Sequence, residues 1–126
     1  EAKLKVIFCI GETLSQKRKK NTQSILSKQI KIGLDGIKNK SNIFIAYEPV
    51  WSIGTGIVPK SKDLLKIVEF IKSKFKNKST KVLYGGSVNP QNIKNLKKIN
   101  NIDGFLIGGA SQNVNKFIDI VKKTYT

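Results

Sequence analysis

Histidine and methionine are both absent from this 126-residue sequence. Without histidine, the commonest proton shuttle near neutral pH is missing. Without methionine, the sequence does not open on an initiator residue. The single cysteine, Cys9, can form no internal disulfide and has no cysteine or histidine partner for a zinc site. It lies in an apolar run, so a reduced thiol buried in the core is expected. Acids are scarce: 8 Asp and Glu stand against 24 Lys and Arg, a formal net charge of +16. Such a charge permits attraction to polyanions in principle. The lysines, however, run along nearly every polar stretch, and only Lys17-Arg18-Lys19-Lys20 is a compact basic cluster, with no interleaved aromatics to stack bases. Solvated helix faces are therefore expected, and no specific nucleic-acid partner. No apolar run approaches the roughly 20 residues that cross a bilayer. The opening Glu1-Ala2-Lys3-Leu4-Lys5 lacks the apolar core of a secretory signal, which points to the cytoplasm and to no membrane partner.

What is present, at 39% hydrophobic residues, suffices for the core of one domain spanning residues 1–126. Four apolar runs, Val6 to Ile10, Ile43 to Tyr47, Val82 to Tyr84 and Phe105 to Ile107, are continuous rather than alternating, as in strands buried on both faces. Helical spacing falls between them: Leu26, Ile30, Leu34 and Ile37 share one face, and Leu64, Val68, Ile71 and Phe75 another. Ser61 is the expected cap of the second of these helices, and Asn89-Pro90 reads as a cap followed by proline at the first helical position. Ile93 and Leu96 would face inward there, and Val114, Phe117, Ile118 and Val121 mark a last helix. Strand and helix thus alternate four times, which predicts an α/β fold with a parallel sheet. Pattern alone leaves two architectures open, a doubly wound sheet and part of a β/α barrel, and length by itself favours the first.

Each strand ends in a compact polar or glycine-rich loop: Gly11-Glu12, Glu48 through Gly56, Gly85-Gly86-Ser87, and Gly108-Gly109-Ala110-Ser111. All four belong to strand C-terminal ends, where α/β proteins place ligands. Glycines let main-chain amides approach an anion closely, so glycine loops repeated on one rim point to a bound phosphate. Glu48 follows a strand directly and precedes Pro49, a position where partial desolvation makes a carboxylate a stronger base. Position alone does not choose between a catalytic base and an ion pair with one of the many lysines.

The segment Ala46-Tyr47-Glu48-Pro49-Val50-Trp51-Ser52-Ile53-Gly54-Thr55-Gly56 resembles the part of triosephosphate isomerases that carries the catalytic glutamate and its closing lid. Phe8-Cys9-Ile10-Gly11-Glu12-Thr13-Leu14 is similar to that family's fifth strand and loop, Tyr84-Gly85-Gly86-Ser87-Val88 to its seventh, and Asp103 through Ser111 to its eighth. The resemblance implies a (β/α)8 TIM barrel of which this chain supplies the C-terminal four βα units. It further implies interconversion of dihydroxyacetone phosphate and glyceraldehyde 3-phosphate, in glycolysis and gluconeogenesis, without metal or organic cofactor. Glu48 would be the base. The amides of Gly54, Ser87, Gly108 and Gly109 would hold the substrate phosphate. Pro49, Val50 and Trp51 would form the first hinge of a lid that includes Thr55 and Gly56 and runs to about Pro59, closing to exclude water and to suppress loss of phosphate from the enediolate. Tyr84, with Ser87, would latch it. Cys9 and Glu12 would support the site without taking part in the chemistry, and the whole enzyme would be a homodimer.

The sequence also departs from that pattern. Gly56-Ile57-Val58-Pro59 lacks the lysine and small residues usual after the second glycine, and Pro59 offers no N–H to a latch, so Tyr84 is expected to need another partner. Gln112 stands where an apolar residue is usual. The first strand matches strand five, and the lysine, the carbonyl-polarising histidine and the intersubunit loop that strands one to four supply have no counterpart. The chain is accordingly expected to be part of a longer enzyme and inactive alone, with sticky sheet edges.

Overall fold

The computed structural model describes residues 4–76 and 79–126. Glu1, Ala2 and Lys3, considered above for a secretory signal, lie outside the described residues. Strands β1 (Val6–Ile10), β2 (Ile43–Tyr47), β3 (Val82–Tyr84) and β4 (Gly104–Phe105) form one parallel sheet in the order β1-β2-β3-β4. Helices α1 (Leu14–Arg18) and α2 (Thr22–Gly33) follow β1, α3 (Ser61–Ser73) follows β2, α4 (Ile93–Leu96) follows β3, and a 3-10 turn at Gly109–Gln112 leads into α5 (Val114–Tyr125) after β4. A doubly wound sheet reverses its strand order partway. Here every strand pairs with the next in sequence, the order of an arc of a barrel.

The registers Phe8↔Ile45 and Tyr47↔Tyr84 line up alternate side chains toward the helices. There Ile45, Tyr47, Val82 and Tyr84 pack with Leu26 of α2 and with Leu64, Val68 and Ile71 of α3, all fully buried. Phe8 points the same way, since a Cβ built at Gly33 would strike its ring at 2.2 Å. The other sheet face is bare at its edge, which corrects the expectation of strands covered on both faces: Ile7 of β1, which points that way, is 47% exposed. For the same reason Cys9, which alternates with Phe8, is exposed rather than buried in the core.

Local caps explain several boundaries and move others. Thr13 and Gln16 form a reciprocal capping box at the start of α1, an element not expected from hydrophobic spacing, and Lys17 and Arg18 occupy its last turn, where cations suit the exposed carbonyls. Ser61 is the first helical residue of α3 rather than its cap; Lys60 takes that place without a side-chain bond. Asn89 does cap a turn, its Oδ1 accepting from the amides of Gln91 and Asn92, but α4 begins only at Ile93. Strand β4 pairs only through Gly104–Phe105, not Phe105 to Ile107, because the short β3 offers ladder partners only there. Helix α5 packs against α4 on one side and, among the described residues, has no helix beyond it, so Val114, Phe117, Ile118 and Val121 stay exposed and Ile120 is the buried residue of the helix.

Candidate functional site

Strand alternation turns Glu48 away from the helices, onto the bare face and beside Cys9. Two glycines make its room. A Cβ at Gly85 would fall 2.5 Å from the Glu48 Cγ, and one at Gly11 would fall 1.8 Å from the Glu48 carbonyl oxygen. Glycine is required at both places by close approach, not by φ. The Glu48 amide donates to the Ile10 carbonyl at 2.7 Å, which fixes the residue just past the end of the β1–β2 ladder. Among the described residues no ion pair involves Glu48; the pairs are Lys72 and Lys81 with Asp103, and Lys123 with Asp119. Instead the Cys9 thiol donates toward the Glu48 carboxylate. Partial desolvation, then that hydrogen bond and the carboxylate charge, push the thiol up to about 11.

The loop after Glu48 is held at both ends. Glu12, 1% exposed, accepts from the Tyr47 hydroxyl at 3.1 and 3.2 Å and from the Trp51 Nε1 at 3.0 Å, the kind of pairing a buried acid requires. Its carbonyl accepts from the Val50 amide. The Lys17 ammonium sits 3.4 Å from the Trp51 ring centre, a cation–π contact that covers the indole from outside. Burial, reinforced by the Glu12 charge, raises the Tyr47 phenol far above its ordinary range. Gly54 and Gly56 turn the loop with φ of +68° and +77°, values that disfavour other side chains. The Gly56 amide then donates to the Ser87 Oγ at 3.1 Å, and the Thr55 hydroxyl donates back to the Trp51 and Ser52 carbonyls.

Glu48, Gly54, Ser87, Gly108 and Gly109 all line one cavity of about 410 Å³ at the C-terminal rim of the sheet. Nothing lies within 4 Å of a Cβ built at Gly108 or Gly109, so the backbone there opens onto free space. The Ser87 amide is turned elsewhere and donates to the Ser52 Oγ at 3.2 Å. Lys116 of α5 also lines the cavity and brings a cation that sequence reading did not select. Among the described residues no three His, Cys, Asp or Glu side chains gather where a metal could sit. A larger cavity, about 630 Å³, opens at the opposite end of the strands and is lined by several of the chain's many lysines.

Three supporting residues escaped sequence reasoning. Gln29 grips the Gly11 backbone twice, its amide nitrogen donating to the carbonyl and its Oε1 accepting from the N–H, both at 3.0 Å. A signal existed, because Gln29 falls at i+3 from Leu26 on the buried helical face. Asp103 accepts from the Val82 amide and pairs with Lys72 and Lys81, tying β3 to β4. Desolvation opposes its charge, but these donors outweigh it and hold its carboxyl below the ordinary value of 3.8. Ser52, fully buried, bonds to Tyr84, Ile57 and Ser87, and nothing in its local sequence marks it.

Comparison with known proteins fits this geometry. A sequence model described as triosephosphate isomerase matches residues 1–124. The chain is 45% identical over 125 residues to the triosephosphate isomerase of Thermodesulfovibrio yellowstonii, covering 94% of this chain and 51% of that protein. It is 42% identical over 126 residues to that of Leptospira interrogans serovar Lai, covering 91% and 50%, and 43% identical over 123 residues to that of Zygosaccharomyces bailii, covering 92% and 49%. The chain thus spans about half the length of the curated relatives it matches. With a parallel α/β sheet, the match along nearly all its residues and these relatives, the chain belongs to the triosephosphate isomerase family.

Proposed function

We propose that the chain forms strands five to eight of a (β/α)8 barrel, as the C-terminal half of one barrel domain, and works in a triosephosphate isomerase that interconverts dihydroxyacetone phosphate and D-glyceraldehyde 3-phosphate. The observation that carries this reading is the convergence of Glu48 with Gly54, Ser87, Gly108 and Gly109 on one cavity. Glu48 takes a proton from the carbon beside the substrate carbonyl, an enediolate forms, and the proton returns to the neighbouring carbon. The amides of Gly54, Gly108 and Gly109 bind the phosphate and set the reacting carbon against Glu48, while Ser87, its amide engaged by the Ser52 Oγ, lines the same cavity. Pro49, Val50, Trp51, Thr55 and Gly56 belong to the lid, and Tyr84 to its latch. Every step is a proton transfer or an electrostatic contact that protein groups can supply.

The absence of histidine means that the group polarising the carbonyl comes from the other half of the barrel. The 126 residues alone are therefore expected to be inactive, and the whole enzyme to act in the cytoplasm as a homodimer. The test is Glu48→Gln in the full-length polypeptide. Retained folding with turnover reduced by about three orders of magnitude or more supports Glu48 as the base; near wild-type turnover removes it. Appreciable triose phosphate turnover by the 126 residues alone would refute the half-barrel reading.

A further inference from the structure

Ser52 sits in the first arm of the loop that follows Glu48, is 0% exposed, and has a hydroxyl that meets three partners. A serine hydroxyl has one proton to give and two lone pairs to receive. Its proton goes to the Ile57 carbonyl, in the second arm of the same loop. The Ser87 amide donates to one lone pair at 3.2 Å. The remaining contact, 3.0 Å to the Tyr84 hydroxyl, must then run from tyrosine to serine. Every capacity of the Ser52 oxygen is thus filled, and the Tyr84 proton points to it.

We propose that Ser52 is the positioning residue that holds the 49–59 loop down on the rim of the cavity, tying the two arms of the loop to each other and both to β3. Pro59 closes the second arm without an N–H to offer, so Tyr84 reaches the loop through a side chain instead. Gly86 makes the arrangement possible, since a Cβ there would lie 2.2 Å from the Tyr84 Oη and 2.6 Å from the Ser52 Oγ. The separate contact of the Gly56 amide with the Ser87 Oγ depends on the loop being down but does not involve Ser52. It therefore reports on the clamp without being part of it.

The inference rests on the isomerase reading only in its kinetic consequences, and hydrogen exchange tests it independently. In the full-length polypeptide, Ser52→Ala should speed amide exchange at Gly56 by about tenfold, the worth of a hydrogen bond of ordinary strength. Exchange at Ile45, whose amide donates to the Lys81 carbonyl inside the sheet, should not change. Tyr84→Phe, which keeps the ring and removes only the donor, should do the same, and the double variant should exchange little faster than either single one. If Ser52→Ala does not fold, Tyr84→Phe carries the test. In turnover, both variants should release more inorganic phosphate per isomerisation, a ratio that a packing defect would leave unchanged. Unaltered Gly56 exchange relative to Ile45 overturns the clamp whatever the activity. Faster Gly56 exchange in a protein that does not turn over triose phosphates upholds the clamp and refutes the isomerase reading.

Discussion

Replacing Glu48 by glutamine should make Cys9 a more acidic thiol. In the native arrangement the thiol is raised from 9.0 to about 11 by desolvation, by its hydrogen bond to the Glu48 carboxylate and by the charge of that carboxylate. At pH 8 this lowers the reactive thiolate fraction about a hundredfold relative to the unshifted thiol. Glutamine removes the charge and the anionic acceptor but leaves the desolvation, which is the largest contribution. The thiol should accordingly fall below 11 without reaching 9.0, and its thiolate fraction at pH 8 should rise by about tenfold. The assay is iodoacetamide alkylation of the full-length polypeptide across pH 7 to 11, read by mass spectrometry on the peptide carrying Cys9. The midpoint of the rate against pH reports the ionisation, whereas a barrier to access scales the rate at every pH alike. A native midpoint near 9, or a midpoint that Glu48→Gln leaves unmoved, would refute the placement of the carboxylate beside the thiol.

Gly85→Ala places a methyl 2.5 Å from the Glu48 Cγ, so the side chain must turn or the strand end must shift. The expected cost is about 1–3 kcal/mol of stability by overpacking, seen in urea denaturation, with a loss of turnover larger than that destabilisation explains; native activity in this variant would show that Glu48 needs no clearance there. Asp103 is held below 3.8, so its stabilising effect is present above its ordinary ionisation range and is lost as pH falls through the lowered value. Wild-type should therefore unfold at higher urea than Asp103→Asn at pH 5 to 7, with the gap narrowing below about pH 4; a gap that widens in acid would contradict the assignment.

The alternation of strand and helix, the glycine loops at strand ends and the position of Glu48 just past β2 were all legible in the sequence, because each depends on residues only a few positions apart. Hydrophobic runs set β1, β2 and β3, and the spacing of Leu26 and Ile30, or of Leu64, Val68 and Ile71, set the buried faces of α2 and α3. The tertiary structure decided what each loop residue touches. Gly11 and Gly85 look in sequence like anion-binding glycines, yet in the fold they clear space for Glu48, and Gly86 does so for Tyr84 and Ser52. The bonds from Ser52 to Tyr84 and Ser87, and from Tyr47 to Glu12, join residues 32, 35 and 35 positions apart. Such pairs exist only once parallel strands bring their C-terminal ends to one rim, so no local pattern encodes them. Exposure was decided in the same way. Cys9 and the apolar stripe of α5 carry the signature of a core, but burial belongs to the neighbour that covers a face, and the described residues supply none at β1 or beyond α5.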